Sequence, residues 1–104
     1  CGLTPQAEVM GIGWTSDAHH FTLPNAATII RAIREALDDA GLTPGDIGYV
    51  NAHGTSTQKG DRVEVECLRE VFGPKLAKTP ISSNKSQIGH TLGASAAIEA
   101  ALGI

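Results

Sequence analysis

The segment Val50-Asn51-Ala52-His53-Gly54-Thr55-Ser56-Thr57-Gln58-Lys59-Gly60-Asp61 decides how this chain folds. It begins as a short strand and continues as a loop rich in glycine and hydroxyl residues. A second segment, Ser83-Asn84-Lys85-Ser86-Gln87-Ile88-Gly89-His90, repeats the pattern of a strand end, a glycine and one histidine. Ligands of open α/β sheets bind at the carboxyl ends of the strands. We therefore expect His53 and His90 to meet at one sheet edge, around one substrate atom.

Helix signals lie on both sides of the first segment. The clearest helix lies between Asn25, a favourable N-cap, and Gly41, which supplies the left-handed residue that ends many helices. Apolar residues recur between them every three or four positions: Ala26, Ile29, Ile30, Ile33, Leu37 and Ala40. A second helix is predicted from Asp61, an N-cap with Glu64 in a capping box, to the Gly73-Pro74 pair.

Three predicted strands each precede a predicted helix. The strands cover residues 7–13, 47–52 and 80–83, and a third helix with small side chains covers residues 91–102. Successive strand–helix units form parallel sheets with right-handed crossovers, so the sequence predicts an α/β fold of three βα units flanked by helices. Because the chain begins near a strand and stops in an apolar helix, we expect residues 1–104 to be a single incomplete domain of a longer protein.

Composition disfavours several classes of protein. The hydrophobic share of 41% is typical of a globular domain, and the net charge of −3 gives no support for a nucleic-acid partner. No apolar run approaches the ~20 residues of a membrane span, and the chain shows no signal peptide, so we expect no membrane association. Cys1 and Cys67 have no metal-binding spacing. Cys67 lies on the apolar helix face, which predicts a buried thiol and fits a cytoplasmic protein.

The two histidines carry the predicted chemistry. Gly54 and Gly89 beside them allow backbone or substrate to approach closely. At the mouth of the third helix, the positive end of the helix dipole favours a neutral His90, which can donate an N–H to a developing oxyanion. Lys85 is either solvated or orients an imidazole. Glu99 interrupts an apolar helix, so it lies at the solvent edge or is buried with Lys85 as its partner.

Other uses of the histidines are disfavoured by their spacing. His19 and His20 are adjacent, so their side chains diverge, and neither HxxxH nor HxH occurs in the sequence. A Ser-His-Asp hydrolase is disfavoured because the sequence has no GxSxG motif. We therefore expect no metal ligands.

These segments resemble two motifs of the β-ketoacyl synthases, the condensing enzymes of fatty-acid and polyketide synthesis. Asn51-Ala52-His53-Gly54-Thr55-Ser56-Thr57, followed by Gly60-Asp61, is similar to their first histidine motif. Residues 83–94 resemble the second, with Lys85 five positions before His90, and residues 16–22 resemble an upstream segment. The HGTST form is closer to the discrete acyl-carrier-protein synthases than to modular polyketide ketosynthases.

The resemblance implies a partial thiolase-like fold, in which this chain is the central part of the second half of an enzyme that is usually dimeric. The nucleophilic cysteine of the family lies in the first half, and a glycine-rich loop lies near the C-terminus. Neither is present here, so we expect the chain alone to be inactive. The turn at residues 23–27 also lacks the usual glycines.

In the implied reaction, an acyl group moves from acyl carrier protein to the missing cysteine. Malonyl-carrier thioester is then decarboxylated, and its carbanion condenses with the acyl-enzyme. The resemblance implies that His53 and His90 donate hydrogen bonds to the enolate oxygen. It also implies that Lys85 orients His90 and holds Glu99.

The remaining implied residues bind the substrate arm or support the site. Thr55 and Thr57 offer hydroxyls to the pantetheine arm, Thr22 lines the same tunnel, and Asp61 joins Glu99 in a supporting network. The implied partners are acyl carrier protein, the missing first half of the enzyme and a second copy of it. No cofactor is implied, because the substrates are carried on the phosphopantetheine of the carrier.

Two related functions remain as alternatives. A non-catalytic partner subunit, similar to a chain-length factor, would share the fold without the reaction, although the presence of both histidines and Lys85 disfavours it. A thiolase-type enzyme acting on coenzyme A thioesters is disfavoured by the motif at residues 84–90. The residue at the nucleophile position would decide the first alternative, and a carrier-preference assay the second.

Overall fold

A computed structural model describes residues 2–20 and 22–104, so Cys1 and Phe21, the latter within the motif at residues 16–22, lie outside the described residues. The fold is mixed α/β and mostly helical. In chain order the elements are α1 (Ala26–Ala40), a 3-10 turn (Pro44–Asp46), β1 (Val50–Asn51), α2 (Gln58–Phe72), a 3-10 turn (Gly73–Lys78), β2 (Ile81–Ser82), α3 (Lys85–Ile88), a 3-10 turn (Leu92–Ala94) and α4 (Ser95–Gly103). No helix in the described parts of the chain is long and apolar enough to cross a membrane.

The two strands form a parallel pair. Val50 lies opposite Ile81 and Asn51 opposite Ser82, so β1 and β2 fall inside the predicted strands but are shorter. Helix α2 connects them, which is the predicted βαβ arrangement.

Helix α1 begins and ends where predicted. The side chain of Asn25 accepts a hydrogen bond from the Ala27 N–H at 3.0 Å, which satisfies one of the free N–H groups of the first turn. Gly41 ends the helix with φ +66°, and the following Leu42 N–H donates to the Leu37 carbonyl at 2.9 Å. This is the Schellman closure expected from a glycine followed by an apolar residue.

The core lies between α1 and α2. Among the residues that the structure describes, the buried apolar side chains come from α2: Cys67, Leu68 and Phe72. Cys67 is fully buried, with Sγ 3.6 Å from the Ala26 carbonyl oxygen at the start of α1. Burial raises the pKa of the Cys67 thiol, and the nearby carboxylates of α2 raise it further. The predicted buried thiol is confirmed, and a buried thiol of raised pKa is a poor nucleophile.

The predicted strand at residues 7–13 is not formed. This segment lies against α1, so closely that a Cβ atom on Gly13 would stand 1.8 Å from the Ala32 carbonyl oxygen. The Ile12 N–H donates to Asp39 Oδ2 at 2.9 Å instead of to a strand. A strand needs a partner for its backbone groups, and none of the described residues pairs with this segment. The prediction of three strands is therefore wrong for this chain, whose described residues form a two-stranded sheet.

Helix α2 begins earlier than predicted. Thr57 is its N-cap, with a side chain that accepts the Gly60 N–H at 3.2 Å. Asp61 lies in the first turn, so its prediction as the N-cap is wrong. The capping box fails because the Glu64 carboxylate binds the preceding loop instead. The predicted end at Gly73 is confirmed, with φ +53° there.

The predicted third helix is divided, and a short helix precedes it. Helix α3 ends at Gly89, and a 3-10 turn separates it from α4, which begins at Ser95. Leu92 has φ +53°, so the backbone cannot continue as an α-helix through that residue. His90 therefore lies five residues before α4 rather than at its mouth, and the helix dipole does not account for a neutral imidazole.

Most of α4 is exposed in this chain, although its side chains are small or apolar. Among its residues, only Ser95 and Glu99 are buried, whereas Leu102 is 57% exposed. Its surface is thus more apolar than that of an ordinary solvent-facing helix.

Gly13→Ala is expected to destabilise the protein by about 1–3 kcal/mol, because the added methyl group would collide with the backbone of α1. Gly48→Ala is the matched control, since a Cβ atom there meets nothing within 4 Å. Thermal unfolding followed by circular dichroism measures both variants. If Gly13→Ala were as stable as Gly48→Ala, residues 7–13 would not be packed on α1.

Candidate active site

The loops that follow β1 and β2 are joined to each other. The Ser83 hydroxyl, just after β2, lies 3.2 Å from the Gly54 carbonyl oxygen and 3.4 Å from that of His53. Gly54 has φ +45°, and a Cβ atom there would lie 2.6 Å from the Ser83 Cβ. Only glycine satisfies both conditions. The first histidine loop is therefore held directly against the second.

The two imidazoles meet at this sheet edge. The rings of His53 and His90 are edge to face, with centroids 5.2 Å apart and planes at 85°. Both line one cavity of about 840 Å³. The predicted meeting of the histidines is confirmed. Both rings are therefore exposed to one ligand space.

The three threonines predicted for substrate binding line the same cavity: Thr22, Thr55 and Thr57. The hydroxyl oxygens of Thr55 and Thr57 are 3.1 Å apart, and Thr57 also accepts the Gly60 N–H as the cap of α2. One hydroxyl proton is used between the two threonines. The other remains available to a ligand in the cavity.

Glu64, which the sequence predicts in a capping box, lies instead against the first histidine loop. Its two carboxylate oxygens accept the N–H groups of His53 at 2.6 Å and Gly54 at 2.9 Å, and the residue lines the cavity. Hydrogen bonds to a carboxylate are stronger than those between neutral groups. Glu64 therefore fixes the backbone that carries the first histidine.

The His90 ring has a defined acceptor. Its Nδ1 atom accepts the Leu92 backbone N–H at 3.1 Å. A backbone N–H can only donate, so Nδ1 carries no proton and the ring proton of the neutral imidazole is on Nε2. This hydrogen bond selects the Nε2–H tautomer for a neutral ring, and the neutral state itself stays a prediction.

Lys85 and Glu99 form a buried ion pair. Lys85 Nζ lies 2.5 Å from Glu99 Oε1, and the residues are 9% and 8% exposed. Of the two alternatives for Glu99, burial with Lys85 as its partner is confirmed, and Lys85 is not solvated. The Asn51 side chain donates to the Glu99 carbonyl at 3.2 Å, which attaches the pair to β1. The described residues show no hydrogen bond between Lys85 and His90, so Lys85 supports α3 and α4 instead of touching the ring.

Residues 6–104 match the family model of the β-ketoacyl synthase C-terminal domain. The chain belongs to the β-ketoacyl synthase family.

The chain is also similar to individual members of this family in sequence and in structure. The chain is 46% identical over 101 residues to 3-oxoacyl-[acyl-carrier-protein] synthase 2 of Staphylococcus aureus, with 95% of this chain and 25% of that protein covered. It superposes on the crystal structure of a β-ketoacyl synthase from Burkholderia phymatum STM815 with a TM-score of 0.80 and 50% identity, covering 88% and 22% of the two chains.

A third relative is the complex of a type II PKS acyl-carrier protein with its ketosynthase bound to the hexaketide. Its TM-score is 0.84 at 36% identity, covering 90% of this chain and 24% of that one. The chain thus spans about a quarter of the length of the relatives that it matches.

Backbone strain in this synthase domain is concentrated around the histidine cavity. Three non-glycine residues of the described chain have positive φ: Ala18 (48°), Ser56 (62°) and Leu92 (53°). Leu92 lines the cavity, Ser56 lies between two lining threonines, and Ala18 follows the lining residue Asp17. Such conformations cost about 1–3 kcal/mol each and cluster at functional sites. Their location supports the assignment of this cavity as the site.

Like Lys85 and Glu99, the predicted site residue Asp61 does not line the cavity. Its Oδ1 atom is buried, and no hydrogen-bond partner for it lies among the described residues. The Asn51 Oδ1 atom is also buried and has no hydrogen-bond partner among the described residues. A supporting role for Asp61 therefore stays a prediction.

A second cavity, of about 580 Å³, lies between residues 8–11, α1 and α2. Its lining is mainly apolar and includes Ile33, Leu37 and Phe72. Neither cavity histidine nor any of the predicted threonines reaches it. The histidine cavity is therefore the candidate active site.

Glu64→Gln is expected to destabilise the protein by about 1–3 kcal/mol, because an amide cannot accept both backbone N–H groups. Glu66→Gln, on the same helix, is the matched control, since Glu66 is exposed and, within the described part of the chain, pairs with Arg62. Its expected loss is below about 1 kcal/mol. Urea unfolding measures both, and equal losses would contradict the role of Glu64 as the clamp of the loop.

Lys85→Met and Glu99→Gln should each lower the free energy of unfolding by about 3–5 kcal/mol, because each leaves a buried charge without its partner. The double variant Lys85→Met/Glu99→Leu should lose less than the sum of the single losses. These variants form a double-mutant cycle, and the same cycle on the exposed Arg62–Glu66 pair is the control. A coupling energy no larger than that of the exposed pair would show that Lys85 and Glu99 are not paired.

Proposed function

We propose that this chain is part of an enzyme that joins acyl groups by decarboxylative Claisen condensation, as in fatty-acid or polyketide synthesis. The observation that carries the proposal is the edge-to-face pair of His53 and His90 in one cavity, 5.2 Å between ring centroids. The nucleophilic cysteine of the reaction would be supplied by a part of the protein outside this chain, since Cys67 is fully buried.

The proposed reaction is favoured by two hydrogen-bond donors at one oxygen atom. Loss of CO₂ from a malonyl thioester breaks a C–C bond and leaves its electron pair as an enolate, with negative charge on the thioester oxygen. The Nε2–H of His90, whose Nδ1 is already occupied, would donate to that oxygen together with His53. The enolate carbon then attacks the acyl-cysteine, the C–S bond breaks, and the cysteine thiolate leaves.

The donors must be in place before charge develops, because reorganisation during the reaction would cost part of the stabilisation. Glu64 holds the backbone of His53, and the pair of Lys85 and Glu99 supports the elements on either side of His90. In this proposal Lys85 acts through the frame of the site and not by contact with the substrate.

The carrier-bound substrate would be held by hydroxyl groups. Thr22, Thr55 and Thr57 line the cavity wall, and the Thr55–Thr57 pair retains one free hydroxyl proton for an amide of a pantetheine arm. The names of two relatives mention acyl carrier protein. We infer that the protein containing this chain takes its substrates from such a carrier and that it works as a dimer.

In the full-length protein, His53→Ala and His90→Ala should each slow malonyl decarboxylation by roughly 100- to 1000-fold, the usual cost of losing one oxyanion donor. Acylation of the cysteine should change less, because no enolate exists in that step. His19→Ala is the matched control, since His19 does not line the cavity. Single-turnover acylation and decarboxylation are measured separately.

Unchanged decarboxylation in either cavity variant would remove that histidine from the oxyanion role. A full-length protein that takes up no acyl group, and whose nucleophile position is not cysteine, would instead be a non-catalytic partner subunit.

A further inference from the structure

Ser95, the first residue of α4, is a buried hydroxyl in contact with the second histidine loop. It is 4% exposed. Its Oγ atom lies 3.0 Å from His90 Nδ1, accepts the Thr91 N–H at 3.0 Å, and lies 3.2 Å from Thr91 Oγ1. Neither the sequence motifs nor the proposed mechanism uses this residue.

Donor counting leaves two directions for these hydrogen bonds, and the distances favour one of them. A serine hydroxyl has one proton and two acceptor lone pairs. The Thr91 N–H occupies one lone pair, and His90 Nδ1 has no proton because it accepts the Leu92 N–H. Each proton of the network has an acceptor when the Thr91 hydroxyl donates to Ser95 and the Ser95 hydroxyl donates to His90 Nδ1, whose single lone pair is then shared with the Leu92 N–H. In the opposite direction Ser95 would donate to Thr91 Oγ1, and the exposed Thr91 hydroxyl would turn to solvent. The shorter distance from Ser95 Oγ to His90 Nδ1, 3.0 Å against 3.2 Å to Thr91 Oγ1, favours the first direction.

We propose that Ser95 is a positioning residue for His90. Its hydroxyl, anchored by the Thr91 N–H, donates to Nδ1 and thereby holds the ring as the Nε2–H tautomer, edge to face with His53. Ser95 does not line the cavity, so it acts on the reaction only through the histidine.

A second anchor is needed because the other donor to the ring stands on strained backbone. Leu92 has φ +53°, a conformation that a branched residue keeps only when its surroundings impose it. Ser95 lies at the buried start of α4 and closes the turn from Thr91 to the helix. It therefore fixes both the imidazole and the segment that carries the Leu92 N–H.

The experiment uses the full-length protein with Ser95→Ala and Ser95→Cys, the latter keeping a weaker donor. Thr79→Val is the matched control, since Thr79 is also buried, at 6% exposure, and its hydroxyl donates to the Lys75 carbonyl before β2, without a hydrogen bond to the loop after it. Nitrogen-15 NMR of labelled histidine reports the His90 tautomer directly. Malonyl decarboxylation and cysteine acylation are measured in the same preparations.

The expected result is a single Nε2–H tautomer in the unmodified protein and mixed tautomers in Ser95→Ala. The kcat for decarboxylation should fall roughly tenfold in Ser95→Ala, as for loss of one neutral hydrogen bond, with KM unchanged. For Ser95→Cys, both the tautomer mixture and the kcat should lie between those of the unmodified protein and those of Ser95→Ala. Thr79→Val should lose stability without changing either measurement.

An unchanged His90 tautomer and decarboxylation rate in Ser95→Ala would overturn the proposal and leave Ser95 a structural hydroxyl. If Ser95→Ala does not fold, Ser95→Cys is compared with the unmodified protein instead, and an unchanged tautomer and rate would again overturn the proposal. The kinetic part rests on the proposed function, but the tautomer does not. If His90→Ala also leaves decarboxylation unchanged, the proposed function fails, and the NMR signal alone still tests Ser95.

Discussion

The parallel pairing of β1 with β2 is made by the Val50 N–H with the Pro80 carbonyl at 3.0 Å and the Ala52 N–H with the Ser82 carbonyl at 2.8 Å. Because parallel strands end at the same edge of a sheet, the next residues of both strands enter one small volume. The site depends on this constraint. The sheet is only two residues long, so the loops beyond it must be held by polar contacts of their own.

Those contacts are of different kinds for the two histidines. The backbone at His53 is bound by the Glu64 carboxylate, whereas the ring of His90 is bound at Nδ1 by a backbone N–H and a buried hydroxyl. The Lys85–Glu99 ion pair lies outside the cavity lining and connects α3 with α4. The backbone of one cavity histidine and the ring of the other are thus fixed by hydrogen bonds from the protein itself.

A large part of the fold could be predicted from local patterns. The apolar period of α1 and its caps at Asn25 and Gly41 are properties of consecutive residues, and the structure has them where expected. The strand at residues 7–13 was predicted on the same grounds and is wrong, since a strand forms only against a neighbour. The close glycine contacts of that segment fit it against α1 instead.

The sequence by itself determined the caps and apolar face of α1, the two histidine loops and the resemblance that they carry, because these depend on neighbours along the chain. Only the tertiary structure decided that Glu64 binds the first loop and that Ser95 touches His90. It also placed Asp61 outside the cavity. The same acidic or hydroxyl residue can cap a helix, face solvent or support a site. Which of these it does depends on the angle at which its helix meets the loops, and that angle is set by packing between α1, α2 and the sheet.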